Sequence, residues 1–154
     1  MEEFIKICLE ISNFIEELTE VENKKFQAAL QNNIYIVNEC MKKEQAFLMK
    51  LKGIDKKREA LQKKLGYENL SFTEIIEKAP SNEKDKLKEV FNKVQNNYKV
   101  YKEIFSNAQN ALEVNLYKIN KKLEELNAVD KLNKTYKEDG EVIMSKESFT
   151  SRKV

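Results

Sequence analysis

Residues 87–126 read LKEVFNKVQNNYKVYKEIFSNAQNALEVNLYKINKKLEEL, a run in which apolar side chains return at alternating steps of four and three. Leu87, Phe91, Val94, Tyr98, Tyr101, Phe105, Ala108, Leu112, Asn115, Ile119, Lys122 and Leu126 form one series, and only two of these twelve positions, Asn115 and Lys122, are polar. With about 3.6 residues per turn, that spacing draws one stripe along an α-helix, and such a stripe must be covered by another helix or by a partner. A longer run with the same alternation precedes it: Phe4, Cys8, Ile11, Ile15 and Leu18, then Phe26, Leu30, Ile34, Val37 and Met41, then Leu48, Leu51, Ile54, Leu61 and Leu65. Together the two runs predict an all-α fold, an antiparallel, coiled-coil-like hairpin of two long helices over residues 4–65 and 83–128.

Between them, Gly66 follows the last periodic leucine and the basic pair Lys63 and Lys64, as a helix-ending glycine does. Ser71-Phe72-Thr73-Glu74 has the form of a capping box and opens a short connecting helix over 72–79, ahead of Pro80. Ser81 or Asn82 can cap the next helix. In the first run, Gln31, Asn32, Asn33 and Gly53 are weak points that could bend the helix without stopping it. From residue 131 the apolar side chains (Leu132, Tyr136, Val142, Ile143, Met144, Phe149) are too sparse for a core. The chain thus divides into one helical domain over 1–130 and a tail over 131–154, expected to be mobile until something binds it.

Composition narrows the functions available. The chain has 154 residues, one domain's worth, with 35% charged residues, three glycines and one proline, which suits long helices. Its 28 basic and 26 acidic residues are interspersed, so there is no clustered basic face for nucleic acid. Histidine is absent, and with it the commonest general base and metal ligand. No phosphate loop, metal cluster or nucleophile with its base stands in the chain, so neither enzymatic activity nor a cofactor is expected. Cys8 and Cys40 read as buried thiols. The acidic start, Met-Glu-Glu-Phe-Ile-Lys, is unlike a secretory signal, and no run approaches the length of a membrane span. These features predict a cytoplasmic protein without stable membrane insertion.

The two predicted helices would be about 90 Å and about 70 Å long. Folded back on each other, they would leave residues 4–18 without a helical partner, where Phe4, Ile7, Ile11, Phe14 and Leu18 widen the apolar face. An uncovered face of that kind implies a contact. It could be a docking surface for a client helix, or be closed by a bend near Asn32 and Asn33 or by a second copy of the chain. On the second helix, Val100, Ile104, Ala111 and Val114 form shoulders beside the stripe that a client could also use.

Three stretches resemble the FlgN-type flagellar export chaperones: Glu44-Gln45-Ala46-Phe47-Leu48 through Ile54-Asp55-Lys56-Lys57-Arg58; Asn107-Ala108-Gln109-Asn110-Ala111-Leu112, followed by Leu116-Tyr117-Lys118-Ile119-Asn120; and Thr135-Tyr136-Lys137-Glu138-Asp139-Gly140. The resemblance implies a helical cytoplasmic chaperone without enzymatic activity. Such a chaperone holds the C-terminal helical segments of hook–filament junction proteins of the FlgK and FlgL type and delivers them to the flagellar export gate. It further implies client contact through Leu112, Leu116, Ile119, Leu123 and Leu126, and docking at the export gate through Tyr136. The end of the chain past Gly140 departs from the family pattern. The reading from another class is a structural coiled-coil scaffold that acts as a permanent homodimer.

Overall fold

The computed structural model describes residues 1–135, with side chains through residue 129, as four helices: α1 Glu2–Leu30, α2 Ile34–Lys64, α3 Phe72–Lys78 and α4 Ser81–Thr135. Of the tail expected over 131–154, residues 131–135 continue α4 as helix, and residues 136–154, Tyr136 among them, lie outside the described residues. Among the described residues no helix is long and apolar enough to cross a membrane.

The all-α class is as expected, but the first run is two helices and not one. The chain breaks at residues 31–33 because two asparagines supply what a helix end requires. Asn32 takes a left-handed backbone with φ 54°, a conformation asparagine tolerates better than other residues bearing a Cβ. Its N–H donates to the carbonyl of Ala29 at 3.1 Å, and the N–H of Asn33 reaches back to Ala28 at 2.9 Å, the hydrogen-bond pair of a Schellman end. Asn33 then opens α2, its Oδ1 accepting from the N–H of Ile36 at 3.2 Å. One residue therefore closes the first helix and caps the second. Asn33→Ala is expected to lower stability by about 1 kcal/mol, read as a drop in the urea midpoint; an unchanged midpoint would show that the cap contributes nothing.

Gly66, with φ 77°, ends α2 in the same way, with Gly66 N–H donating to Lys63 and Tyr67 N–H to Gln62. Gln62 is buried and stitches the following loop to the helix, its Nε2 donating to the carbonyls of Tyr67 at 2.9 Å and Leu70 at 2.7 Å. The capping box of α3 forms as the sequence predicts, and its Ser71 hydrogen bonds hold the exposed Glu74 carboxyl below its ordinary range.

Residues Met1–Asn115 form one compact unit and Leu116 opens a second. In the first unit, α2 runs back along α1: Phe14 meets Phe47 at 4.9 Å between ring centroids, and Lys25 meets Glu44 at 2.7 Å. α4 runs parallel to α1, placing Asn97 beside Ser12 and Asn115 beside Ala29. The main apolar cluster joins Phe4 and Cys8 to Ile75, Ala79, Leu87 and Val90, with Leu61, Leu65, Tyr67 and Phe72 packed on it.

This packing corrects the expected bare face on residues 4–18. Phe4 and Leu18 are 0% and 2% exposed, and Ile7, Ile11 and Phe14 are half-buried. The break at 31–33 turns α2 back onto α1, while α3 and α4 cover Phe4, so the surplus apolar side of a single long helix does not exist. Of the outcomes the sequence leaves open for this segment, closure by a turn near Asn32 and Asn33 is the one found: Phe4 and Leu18 are core residues, while Ile7, Ile11 and Phe14 pack on one side and keep part of their surface.

Candidate functional site

Exposed apolar side chains occur in both units, singly on α2 as at Tyr35 and Met49, and as a regular series in the second unit. From Leu116 onward, Leu116, Ile119, Leu123 and Leu126 stand at steps of three and four along α4, with Tyr117 and Val129 apart from the series. The four in the series are 59%, 48%, 52% and 62% exposed. In helical register these four define a seam, and Asn120, Lys122, Asn127 and Val129 flank it. Lys118, Lys121, Glu124 and Glu125 fall at the outer positions of the same turns. A helix this polar on its outer side and this apolar along its seam matches the pattern of one half of a two-helix contact. Leu112, the fifth member of the expected client-binding set, belongs to the first unit and is half-buried against the cluster of Ala28, Ala29 and Val37. It is a core contact. Of the shoulder residues, Val100 and Val114 are exposed, whereas Ile104 and Ala111 are half-buried.

Sequence periodicity missed the polar layers inside the bundle. Tyr98 was expected in the seam but is exposed, and Asn97 takes the inward position. Its Nδ2 donates to the carbonyl and the hydroxyl of buried Ser12 at 3.1 and 3.0 Å. Asn115, one of the two polar seam positions, donates to the Ala29 carbonyl at 2.6 Å. An inward amide is tolerated because it finds these partners.

The third layer is ionic. Lys25 Nζ lies 2.9 Å from Glu22 and 2.7 Å from Glu44, and 5.4 Å from the centroid of the Phe105 ring. Glu22 Oε1 accepts a hydrogen bond from Lys25, while Oε2, at the same distance from Nζ, lacks hydrogen-bond geometry and keeps only the ion contact. Burial raises the Glu22 carboxyl above its ordinary value, with the Lys25 hydrogen bond and charge opposing and Glu44 adding to the rise. For Lys25, burial acts downward, but the hydrogen bonds and charges of Glu44 and Glu22 outweigh it and the ammonium is stabilised. Tyr101, beside this layer, is pushed up to about 12 by burial and by the two carboxylates. Lys25 thus links Glu22 on its own helix to Glu44 on α2, where the three side chains are largely shielded from solvent.

Glu44 and Phe47 thus make packing contacts to α1, and Arg58 bonds Asp55 and Gln62 within α2, while Gln45, Ala46 and Leu48 are exposed. Ala108, in the second resembling stretch, is fully buried. Cys8 and Cys40 are free, buried thiols. Burial pushes Cys8 up to about 11 despite the opposing charge of Arg58, so it stays a protonated thiol near neutral pH.

Compared with known protein families, the chain matches the one described as FlgN protein over residues 1–142. No curated protein and no solved structure matches it.

Proposed function

Because the chain belongs to the FlgN family of flagellar export chaperones, we propose that it holds the C-terminal helical segments of hook–filament junction proteins of the FlgK and FlgL type in the cytoplasm before export, through Leu116, Ile119, Leu123 and Leu126. The observation that carries this reading is the exposure of all four leucine and isoleucine side chains on one seam of α4. A segment destined to form a coiled coil aggregates if it is released early, and a helix with a spare apolar seam can cover it as a temporary partner. No bond is made or broken, and release needs only a competing partner for the same seam.

Light scattering on the chain mixed with the C-terminal helical segment of a junction protein tests the reading. A heterocomplex is expected; a self-dimer whose mass does not change on adding the segment would favour the scaffold instead. We assign delivery to the export gate to Tyr136, an aromatic in a segment with too few apolar residues to pack it. Tyr136→Ala is expected to lower junction-protein export severalfold in cells while leaving binding of the client segment unchanged. Normal export by that variant would remove the assignment.

A further inference from the structure

We infer that residues 141–149 of the chain itself lie along the seam of Leu116, Ile119, Leu123 and Leu126 while no guest is bound, so that a guest must displace them. The inference rests on the client-binding reading above and adds what regulates that site. The four seam side chains stand about half exposed, and Met1–Asn115 close into a unit of their own. The chain beyond α4 carries side chains suited to cover them. Asp139-Gly140 is a turn dipeptide, and Val142, Ile143, Met144 and Phe149 follow it. Those four are too few to form a core of their own, and the family match ends at residue 142.

Reach and register fix how the segment lies. α4 ends at Thr135, and Val129, Lys122 and Ile119 stand about 9, 20 and 24 Å back along the helix from there. A segment that reverses at Gly140 and runs back extended covers about 3.3 Å per residue, which brings Ile143, Glu147 and Phe149 about 10, 23 and 30 Å back from the turn. A turn set a few ångströms past Thr135 puts these three level with Val129, Lys122 and Ile119. Coiled as a helix instead, the same segment would carry Phe149 only about 14 Å back, short of Leu123. Side chains alternate along an extended run, so Ile143, Ser145, Glu147 and Phe149 share one side. That side sets an aliphatic group against Val129 and Leu126, a carboxylate against the exposed ammonium of Lys122, and an aromatic ring against Ile119 and Leu123. So small a contact would not hold separate molecules together, but the tether gives it an effective concentration of about a millimolar, and a longer apolar guest can still displace it.

Amide exchange of the full chain without a guest reads the contact, and calorimetric titration with a junction-protein C-terminal segment reads the competition. In the full chain carrying Ile143→Ser with Phe149→Ser, exchange across residues 116–126 is expected to quicken at least about threefold. The client segment should bind that variant at least about threefold more tightly, since a site blocked part of the time binds in proportion to the fraction left free. Glu147→Lys should quicken exchange too, and adding Lys122→Glu to it should slow exchange again. Equal exchange in the native chain and all these variants overturns this inference alone, and the client reading stands if the segment still binds through Leu116 and Leu123. Slowing that grows with chain concentration also overturns it, because the covering segment then belongs to a second copy. Quickened exchange with no client binding by either form upholds the contact and removes the client reading.

Discussion

Leu116→Asp combined with Leu123→Asp is expected to weaken capture of a junction-protein helix by more than about 100-fold while leaving the unfolding midpoint of the bundle where it was. Covering one leucine is worth about 1.5–3 kcal/mol, and about 1.4 kcal/mol is tenfold in affinity, so two lost leucines already account for the effect. The aspartates add the cost of placing charge in an apolar seam. The fold is spared because both side chains are more than half exposed and neither belongs to a core cluster. Titration of the client segment by calorimetry, with urea unfolding in parallel, separates the two readouts. Ile11→Asp gives the contrast. Ile11 is half-buried in α1, so that change should lower the unfolding midpoint. Native-like stability of Ile11→Asp together with lost client binding would return the site to the first helix.

Lys25→Met should cost about 3–5 kcal/mol of stability, because it leaves Glu22 and Glu44 facing each other without a cation in the interior. The side chains of Glu22 and Lys25 are 0% and 5% exposed and that of Glu44 15%, so solvent offers little compensation. Glu22→Gln keeps a polar group of the same size beside Lys25, and Glu44 still neutralises the ammonium. That variant is expected to stay within about 1 kcal/mol of the native chain.

The two also differ with pH. A carboxyl raised in the fold contributes stability that is complete below its unfolded value of 4.5 and is lost as pH climbs through the folded value. Glu22→Gln has no such titration. Its stability relative to the native chain should therefore improve as pH rises through the folded pKa of Glu22, measured by urea unfolding at steps between about pH 4 and about pH 7. A relative stability that moves the other way would mean that Lys25, and not burial, governs Glu22.

The long helix α4 was legible because its stripe keeps one spacing from Leu87 to Leu112, a series in which Tyr98 is the position that stands exposed. The capping box at Ser71 and the glycine at Gly66 were legible for a different reason: each is a local hydrogen-bond pattern tied to a residue type. What periodicity could not reveal was the turn at 31–33. A left-handed asparagine and a capping asparagine look in sequence like two more polar residues on a helix, and only their backbone angles distinguish a stop from a bend. That difference decided among the readings left open for residues 4–18 in favour of closure near Asn32 and Asn33, since two shorter helices cover each other where one long helix could not. Asn97 and the ion layer were hidden because a polar residue at an inward position reads as a flaw in the stripe until its partner, far away in sequence, is known. A signal was present for the ion layer, since Glu22 and Lys25 continue the four-three series of Phe4, Cys8, Ile11, Ile15 and Leu18 toward Ala29. The exposed seam from Leu116 to Leu126 was legible as a stripe, but its lack of cover became visible only with the structure.

Amide hydrogen exchange of the full chain with and without a junction-protein C-terminal segment locates the contact directly. Slowed exchange across residues 116–126, with α1 unchanged, is the predicted result; slowing confined to residues 4–18 or to residues 136–154 would contradict a helical guest on the seam of α4.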